Sequence, residues 1–131
     1  MTVGLVLVSH SPALADAAAA MAAELAGPST AVQAAGGTED GRFGTSIDRI
    51  EAAVSAADSG DGVVILMDVG SAVLTAKALL ADLDSDAPDV RLADAPLVEG
   101  AIAAAVTAST GQNLDAVLAA AEQARGMRKL G

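Results

Sequence analysis

A chain of 131 residues, 53% of them hydrophobic, has the length of one ordinary domain and enough apolar mass for a real core. Its formal net charge of −10 opposes binding to nucleic acid or anionic lipid, and a single Phe with no Trp or Tyr leaves no platform on which bases stack. Cys is absent and His occurs once, so disulfides, thiolate chemistry and a structural zinc site are not expected.

Residues 3–8, preceded by no basic stretch, read as a buried strand too short for a signal peptide or a membrane span. A cytoplasmic protein is expected, with residues 1–131 as one domain. His10 follows the strand directly, and Ser11-Pro12 reads as an N-cap and first residue of an Ala-rich helix running to about Leu25. Gly27-Pro28 ends that helix. Residues 30–35 form a weak second strand stopped by Gly36-Gly37, and 38–44 a glycine-punctuated loop. Ile47, Ile50 and Val54 keep helical spacing behind a Thr45 or Ser46 cap. Residues 63–67 are a third, wholly apolar strand. Asp68-Val69-Gly70-Ser71 is a short loop in which Ser71 is expected to cap a helix bearing Val73, Ala76, Leu80 and Leu83 on one face. Residues 90–93 are a short fourth strand, 97–109 an Ala-rich helix, and Asn113 caps a last helix to about Arg125, followed by a frayed tail.

Strands alternating with helices predict an α/β fold: a doubly wound, mainly parallel four-stranded sheet with helices on both faces. The two most apolar strands, the first and third, should be central, giving the order 2-1-3-4. The topological switch point then falls between them, and ligands bind there at the carboxyl ends of the strands. His10 follows the first strand and Asp68 the third, so the two groups best suited to chemistry meet at that crevice.

An imidazole beside a helix N-terminus joins a nucleophile to an anion site, which suggests phosphate chemistry on His10. A carboxylate at Asp68 that accepts from Nδ1–H would fix the tautomer and leave Nε2 as the nucleophile. Ser11, Gly37, Thr38, Thr45, Gly70 and Ser71 lie in loops near helix starts, where bare N–H groups and hydroxyls can hold phosphoryl oxygens. Asp94, Pro96, Glu99 and Gly100, after strand four, could shape a partner surface. Neither phosphate-loop motif nor dinucleotide motif occurs. A hydrolase triad of His10 and Asp68 with Ser9, Ser11 or Ser71 lacks the G-x-S-x-G elbow. A non-catalytic α/β regulatory module remains the third alternative.

Four segments together carry a resemblance: Gly4-Leu5-Val6-Leu7-Val8-Ser9-His10-Ser11; Gly36-Gly37 with Gly44-Thr45-Ser46; Val64-Ile65-Leu66-Met67-Asp68-Val69-Gly70-Ser71; and Ala93-Asp94-Ala95-Pro96-Leu97-Val98-Glu99-Gly100-Ala101. In these the chain resembles the DhaM phosphotransfer subunits of dihydroxyacetone kinase, which are similar to the EIIA domain of mannose-class sugar phosphotransferase systems. The resemblance implies an EIIA-mannose-like fold and a phosphohistidine carrier, with His10 at the phosphorylated position and Asp68 as its carboxylate partner. It implies that the phosphoryl group arrives from phosphoenolpyruvate through enzyme I and HPr. It leaves for ADP held in DhaL, which phosphorylates dihydroxyacetone on DhaK; no cofactor belongs to this chain, and ADP/ATP and magnesium belong to DhaL. A homodimer is the family's habit. Some members continue into HPr-like and enzyme-I-like domains; this chain ends at Gly131, so those proteins are expected to be separate unless the chain is truncated. The alternative is an EIIA domain of a mannose-class sugar permease. The Asp68-Val69-Gly70-Ser71 loop favours DhaM, since the permease domains tend to carry a Gly-Gly-Ser-Pro-like loop there.

Overall fold

The computed structural model describes residues 2–131. The elements run β1 (Gly4–Ser9), α1 (Pro12–Ala26), β2 (Val32–Gly36), α2 (Ile47–Ala57), β3 (Val63–Met67), α3 (Ser71–Asp82), β4 (Val90–Leu92), α4 (Leu97–Ser109) and α5 (Leu114–Gln123), with a 3₁₀ turn at Ala124–Gly126. The sheet has the expected order β2-β1-β3-β4, and every pairing is parallel. β1 and β3 are central, and every residue of both is buried, as their unbroken apolar runs require.

Two cores follow from the alternation of side chains along the central strands. Leu5, Leu7, Val64 and Leu66 face α1, α4 and α5, while Val6, Val8, Ile65 and Met67 face α2 and α3. The helices meet the sheet through alanine: Ala15, Ala18, Ala19 and Ala22 form one stripe of α1 at i, i+3, i+4, i+7 spacing. Short side chains bring backbones close. At Gly36 a Cβ would stand 2.6 Å from the Pro12 Cα and 2.8 Å from the Ala15 Cβ, so the end of β2 touches the start of α1 only because this residue is glycine.

Several boundaries differ from expectation. β2 starts two residues later and includes Gly36, because its pairing with β1 continues to Ser9. β4 ends at Leu92, and the last helix gives way to a 3₁₀ turn at Ala124. In α3 the most buried residues are Ala72, Ala76 and Leu79; Val73, Leu80 and Leu83 are half-buried at the margin of that core. The tail is tethered back to the start of α4: Arg125 pairs with Asp94 at 2.7 Å and Lys129 with Glu99 at 3.2 Å.

Candidate active site

Three successive carbonyls at the end of β1 assemble the site. The Val8 carbonyl accepts from the Asp68 N–H (3.0 Å), the Ser9 carbonyl from Gly37 (3.0 Å) and the His10 carbonyl from Gly44 (3.0 Å). The β2–α2 loop and the β3–α3 loop are thereby fastened around one histidine by main-chain bonds. α1 starts immediately afterwards: Ser11 is its N-cap, with its hydroxyl accepting from the Leu14 N–H at 3.2 Å, and Pro12 is the first helical residue.

The carboxylate of Asp68 is the hub. Its Oδ1 lies 2.9 Å from His10 Nδ1 and accepts from the Val69 N–H at 2.7 Å. Its Oδ2 accepts from the His10 N–H at 3.0 Å and from the Ser9 hydroxyl at 2.9 Å. Burial works against the charge on Asp68, but the N–H groups of His10 and Val69, the Ser9 hydroxyl and the His10 ring donate into it and prevail, holding its pKa below the usual carboxylate value. An ionised carboxylate only accepts, so Nδ1 is the donor and, in the neutral ring, Nε2 carries the lone pair. The His10 side chain is 26% exposed and that of Asp68 14%: the ring is open to solvent while its anchor is sheltered.

Ser71 is the main departure from expectation. Gly70, not Ser71, is the N-cap of α3, and the Ser71 hydroxyl makes no capping bond. That hydroxyl lies 2.6 Å from His10 Nε2, so it donates to the unprotonated nitrogen. The turn is possible because Gly70 adopts φ +45° and ψ −106°, a conformation that side-chain-bearing residues avoid. The N–H groups of Gly70 and Ser71 have no hydrogen-bond partner among the described residues, in the same turn whose serine hydroxyl reaches the ring.

The other loop residues divide. The Gly37 N–H is spent on the Ser9 carbonyl and the Thr38 N–H on the Arg42 carbonyl at 2.8 Å, while the Thr38 hydroxyl bonds Asp40 and accepts from the Arg42 N–H. These bonds shape the loop that carries Gly37 and Thr38. Thr45 Oγ1 lies 2.7 Å from Thr75 Oγ1, whose own proton goes to the Ser71 carbonyl at 2.8 Å. Thr45 thus ties the β2–α2 loop to the first turns of α3. Ser11 keeps its hydroxyl on its own helix.

Ser9, considered above only as a hydrolase nucleophile, is fully buried, and its oxygen also accepts from the Ser11 N–H at 3.0 Å. Strand parity points to it: Ser9 follows Leu5 and Leu7 toward one face, and Asp68 follows Val64 and Leu66 toward the same face. His10 falls on the opposite parity. Among the described residues no group of three or more His, Cys, Asp or Glu side chains is placed to hold a metal ion, and no helix is long and apolar enough to cross a membrane.

A family model described as the PTS system fructose IIA component, EIIA-man, matches residues 4–118. A DhaM protein of Listeria innocua, phosphoryl donor subunit of PEP-dependent dihydroxyacetone kinase 2, is 35% identical over 117 residues, covering 88% of this chain and 94% of that protein. The DhaM proteins of Providencia stuartii and Escherichia coli K12 are each 38% identical; this chain covers 26% and 25% of their lengths, and the matches take in 93% and 88% of it. The crystal structure of EF1359, a protein of unknown function, matches with a TM-score of 0.87 at 36% identity, over 98% of each chain. A sigma-54 interaction domain protein from Enterococcus faecalis shares the fold at 16% identity and a TM-score of 0.71, over 95% of this chain and 90% of that one. The chain belongs to the EIIA-man family and, within it, groups with the DhaM subunits.

Proposed function

We propose that this protein is a phosphohistidine carrier of a dihydroxyacetone kinase, taking a phosphoryl group from phospho-HPr onto His10 and delivering it to ADP bound in a DhaL subunit, which serves a DhaK subunit. The observation that carries the reading is the state of one ring: Nδ1 is held by the Asp68 carboxylate at 2.9 Å, which leaves Nε2 unprotonated at the open mouth of the site.

The Nε2 lone pair attacks phosphorus in line, and the bond from phosphorus to the donor's ring nitrogen breaks as the new N–P bond forms. The donor imidazole departs with that electron pair, and no proton has to move in the step. His10 keeps its Nδ1 proton, so its phosphorylated ring carries positive charge, which the Asp68 carboxylate stabilises. Ser71 first covers Nε2; as the phosphoryl group arrives, its hydroxyl turns to donate to a phosphoryl oxygen. The unpartnered N–H groups of Gly70 and Ser71 donate to the others. A helix N-terminus contributes about 0.3–2 kcal/mol to a bound anion. That is enough to hold the group and too little to trap it, as a carrier requires. The relatives favour the kinase over a sugar permease, since the Listeria protein is a DhaM along nearly its whole length.

Incubation with phosphoenolpyruvate, enzyme I and HPr should add one acid-labile, base-stable phosphoryl group, absent in His10→Ala, that passes to DhaL–ADP and not to an EIIB protein. A wild-type chain that gains no mass removes the reading; delivery to EIIB transfers it to the permease class.

A further inference from the structure

The chain of hydrogen bonds through the imidazole does not stop at its open nitrogen. Asp68 Oδ1 lies 2.9 Å from His10 Nδ1 and the Ser71 hydroxyl 2.6 Å from His10 Nε2, so carboxylate, imidazole and hydroxyl are joined in that order. This is the order by which a serine becomes nucleophilic: the ring takes the hydroxyl proton as the oxygen attacks, and the carboxylate holds the ring's tautomer. The sequence has no G-x-S-x-G, yet the backbone builds a comparable corner. β3 ends at Met67, Gly70 turns the chain at φ +45°, and α3 begins with the exposed Ser71, giving strand, tight turn and helix with the hydroxyl at the bend. The N–H groups of Gly70 and Ser71 lack partners among the described residues, and unpartnered donors at a helix start are what a developing oxyanion requires. For phosphoryl uptake at Nε2 the hydroxyl must first be displaced, so the resting arrangement suits attack by the serine oxygen.

We propose that Ser71 is a second nucleophile and that Asp68, His10 and Ser71 together transfer the acyl group of a small uncharged carboxylic ester to water, an activity independent of the carrier reading. The Ser71 oxygen bonds to the ester carbonyl carbon while its proton passes to His10 Nε2, and the carbonyl oxygen takes the negative charge beside the N–H groups of Gly70 and Ser71. The bond to the alcohol oxygen then breaks as Nε2 gives that oxygen the proton, leaving acyl-Ser71. Water attacks next, giving a proton to Nε2; the acid departs and the Ser71 oxygen regains the proton. The surroundings set the substrate class. A cavity of about 480 Å³ shares Asp68 with the triad and has Met67, Val73 and Leu92 in its walls, which suits a short acyl or alkyl chain. The net charge of −10 opposes an anionic ester. Phosphorylation and acyl transfer exclude each other, because a phosphoryl group on Nε2 occupies the lone pair that must accept the serine proton.

Two probes test this: p-nitrophenyl acetate, and diethyl p-nitrophenyl phosphate, which reacts with activated serines and is not turned over. Peptide mass mapping of the wild-type chain should find one diethylphosphoryl group, on Ser71, and His10→Ala should take none. The wild-type chain should release nitrophenolate from the acetate about tenfold or more faster than Ser71→Ala, and Ser71→Cys should still take the acetyl group at that position. Prior phosphorylation of His10 by phospho-HPr should block both reactions. A wild-type chain left unlabelled at Ser71 overturns the inference. So does acetate hydrolysis that is equal in wild type and Ser71→Ala but lost in His10→Ala, since the imidazole would then act alone, and so does labelling that phosphorylated His10 leaves undiminished. A chain that labels at Ser71 but takes no phosphoryl group from phospho-HPr removes the carrier reading and keeps the triad; the converse removes the triad alone.

Discussion

Replacing Asp68 by Asn tests the hub of the site while barely changing its shape. The carboxylate takes four donors: the Ser9 hydroxyl and the His10 N–H on Oδ2, and His10 Nδ1 and the Val69 N–H on Oδ1. An amide has one oxygen to offer. If that oxygen faces the ring, the NH₂ meets the His10 N–H; Ser9 can turn to accept, but the main-chain donor cannot. If the amide flips, the NH₂ faces Nδ1, the ring must carry its proton on Nε2, and the Val69 N–H is stripped instead. Either way one backbone donor loses its protein partner, a cost of about 1–3 kcal/mol for the part-buried His10 N–H and less for the exposed Val69 N–H, which water can reach. The phosphorylated ring also loses a charge-assisted bond of about 1.5–3 kcal/mol, or roughly ten- to hundredfold in the rate of phosphoryl uptake. Rapid-quench measurement of base-stable phosphate on Asp68→Asn reads the second quantity, and urea unfolding of the unphosphorylated chain the first. Uptake at the wild-type rate would refute the tautomer argument outright.

Four further outcomes follow from the same geometry. Because the pKa of Asp68 is lower in the folded chain than its ordinary value of 3.8, its contribution to stability is complete above that value and is lost as pH falls through the folded pKa. The gap in unfolding free energy between wild type and Asp68→Ala should therefore be constant near neutral pH and narrow below about 3.8. A gap independent of pH down to acid unfolding contradicts this. Gly70→Ala meets no atom within 4 Å but must adopt φ +45°, so it should destabilise by about 1–3 kcal/mol in thermal unfolding; a neutral result would show that the turn relaxes freely. Ser11→Ala removes the cap of α1 and should lower stability by about 1 kcal/mol with phosphorylation at His10 retained. Ser71→Ala, at an exposed position, should leave unfolding within about 0.5 kcal/mol of wild type yet slow uptake about fivefold, as one lost hydrogen bond predicts; an unchanged rate would remove Ser71 from the mechanism.

What was legible in the sequence was whatever depends on the order and polarity of segments. The central place of β1 and β3 follows from their apolar runs, the switch point from the sheet order, and the meeting of His10 with Asp68 from their places after those strands. What was not legible depends on dihedral angles and on where single protons go. Ser71 has the residue type of a cap, and only the φ of Gly70 moves the cap back one position and frees the hydroxyl for Nε2. The bonds of Gly37 to β1 and of Thr38 to Arg42 are contacts that composition does not encode. Ser9 was legible in principle by parity with Leu7, although a strand buried on both faces shows no polar alternation to make that parity visible.

The three consecutive carbonyls that end β1 fasten their loops by main-chain bonds, beside the side-chain bonds of Asp68 and Thr45. A scaffold of this kind tolerates drift: residues can be exchanged along those connections while the peptide framework, common to all amino acids but one, goes on aiming the imidazole. EF1359, which differs at nearly two positions in three, has a closely similar shape. Selection is then free to rewrite what the rim displays to its visitors without disturbing the reactive centre beneath.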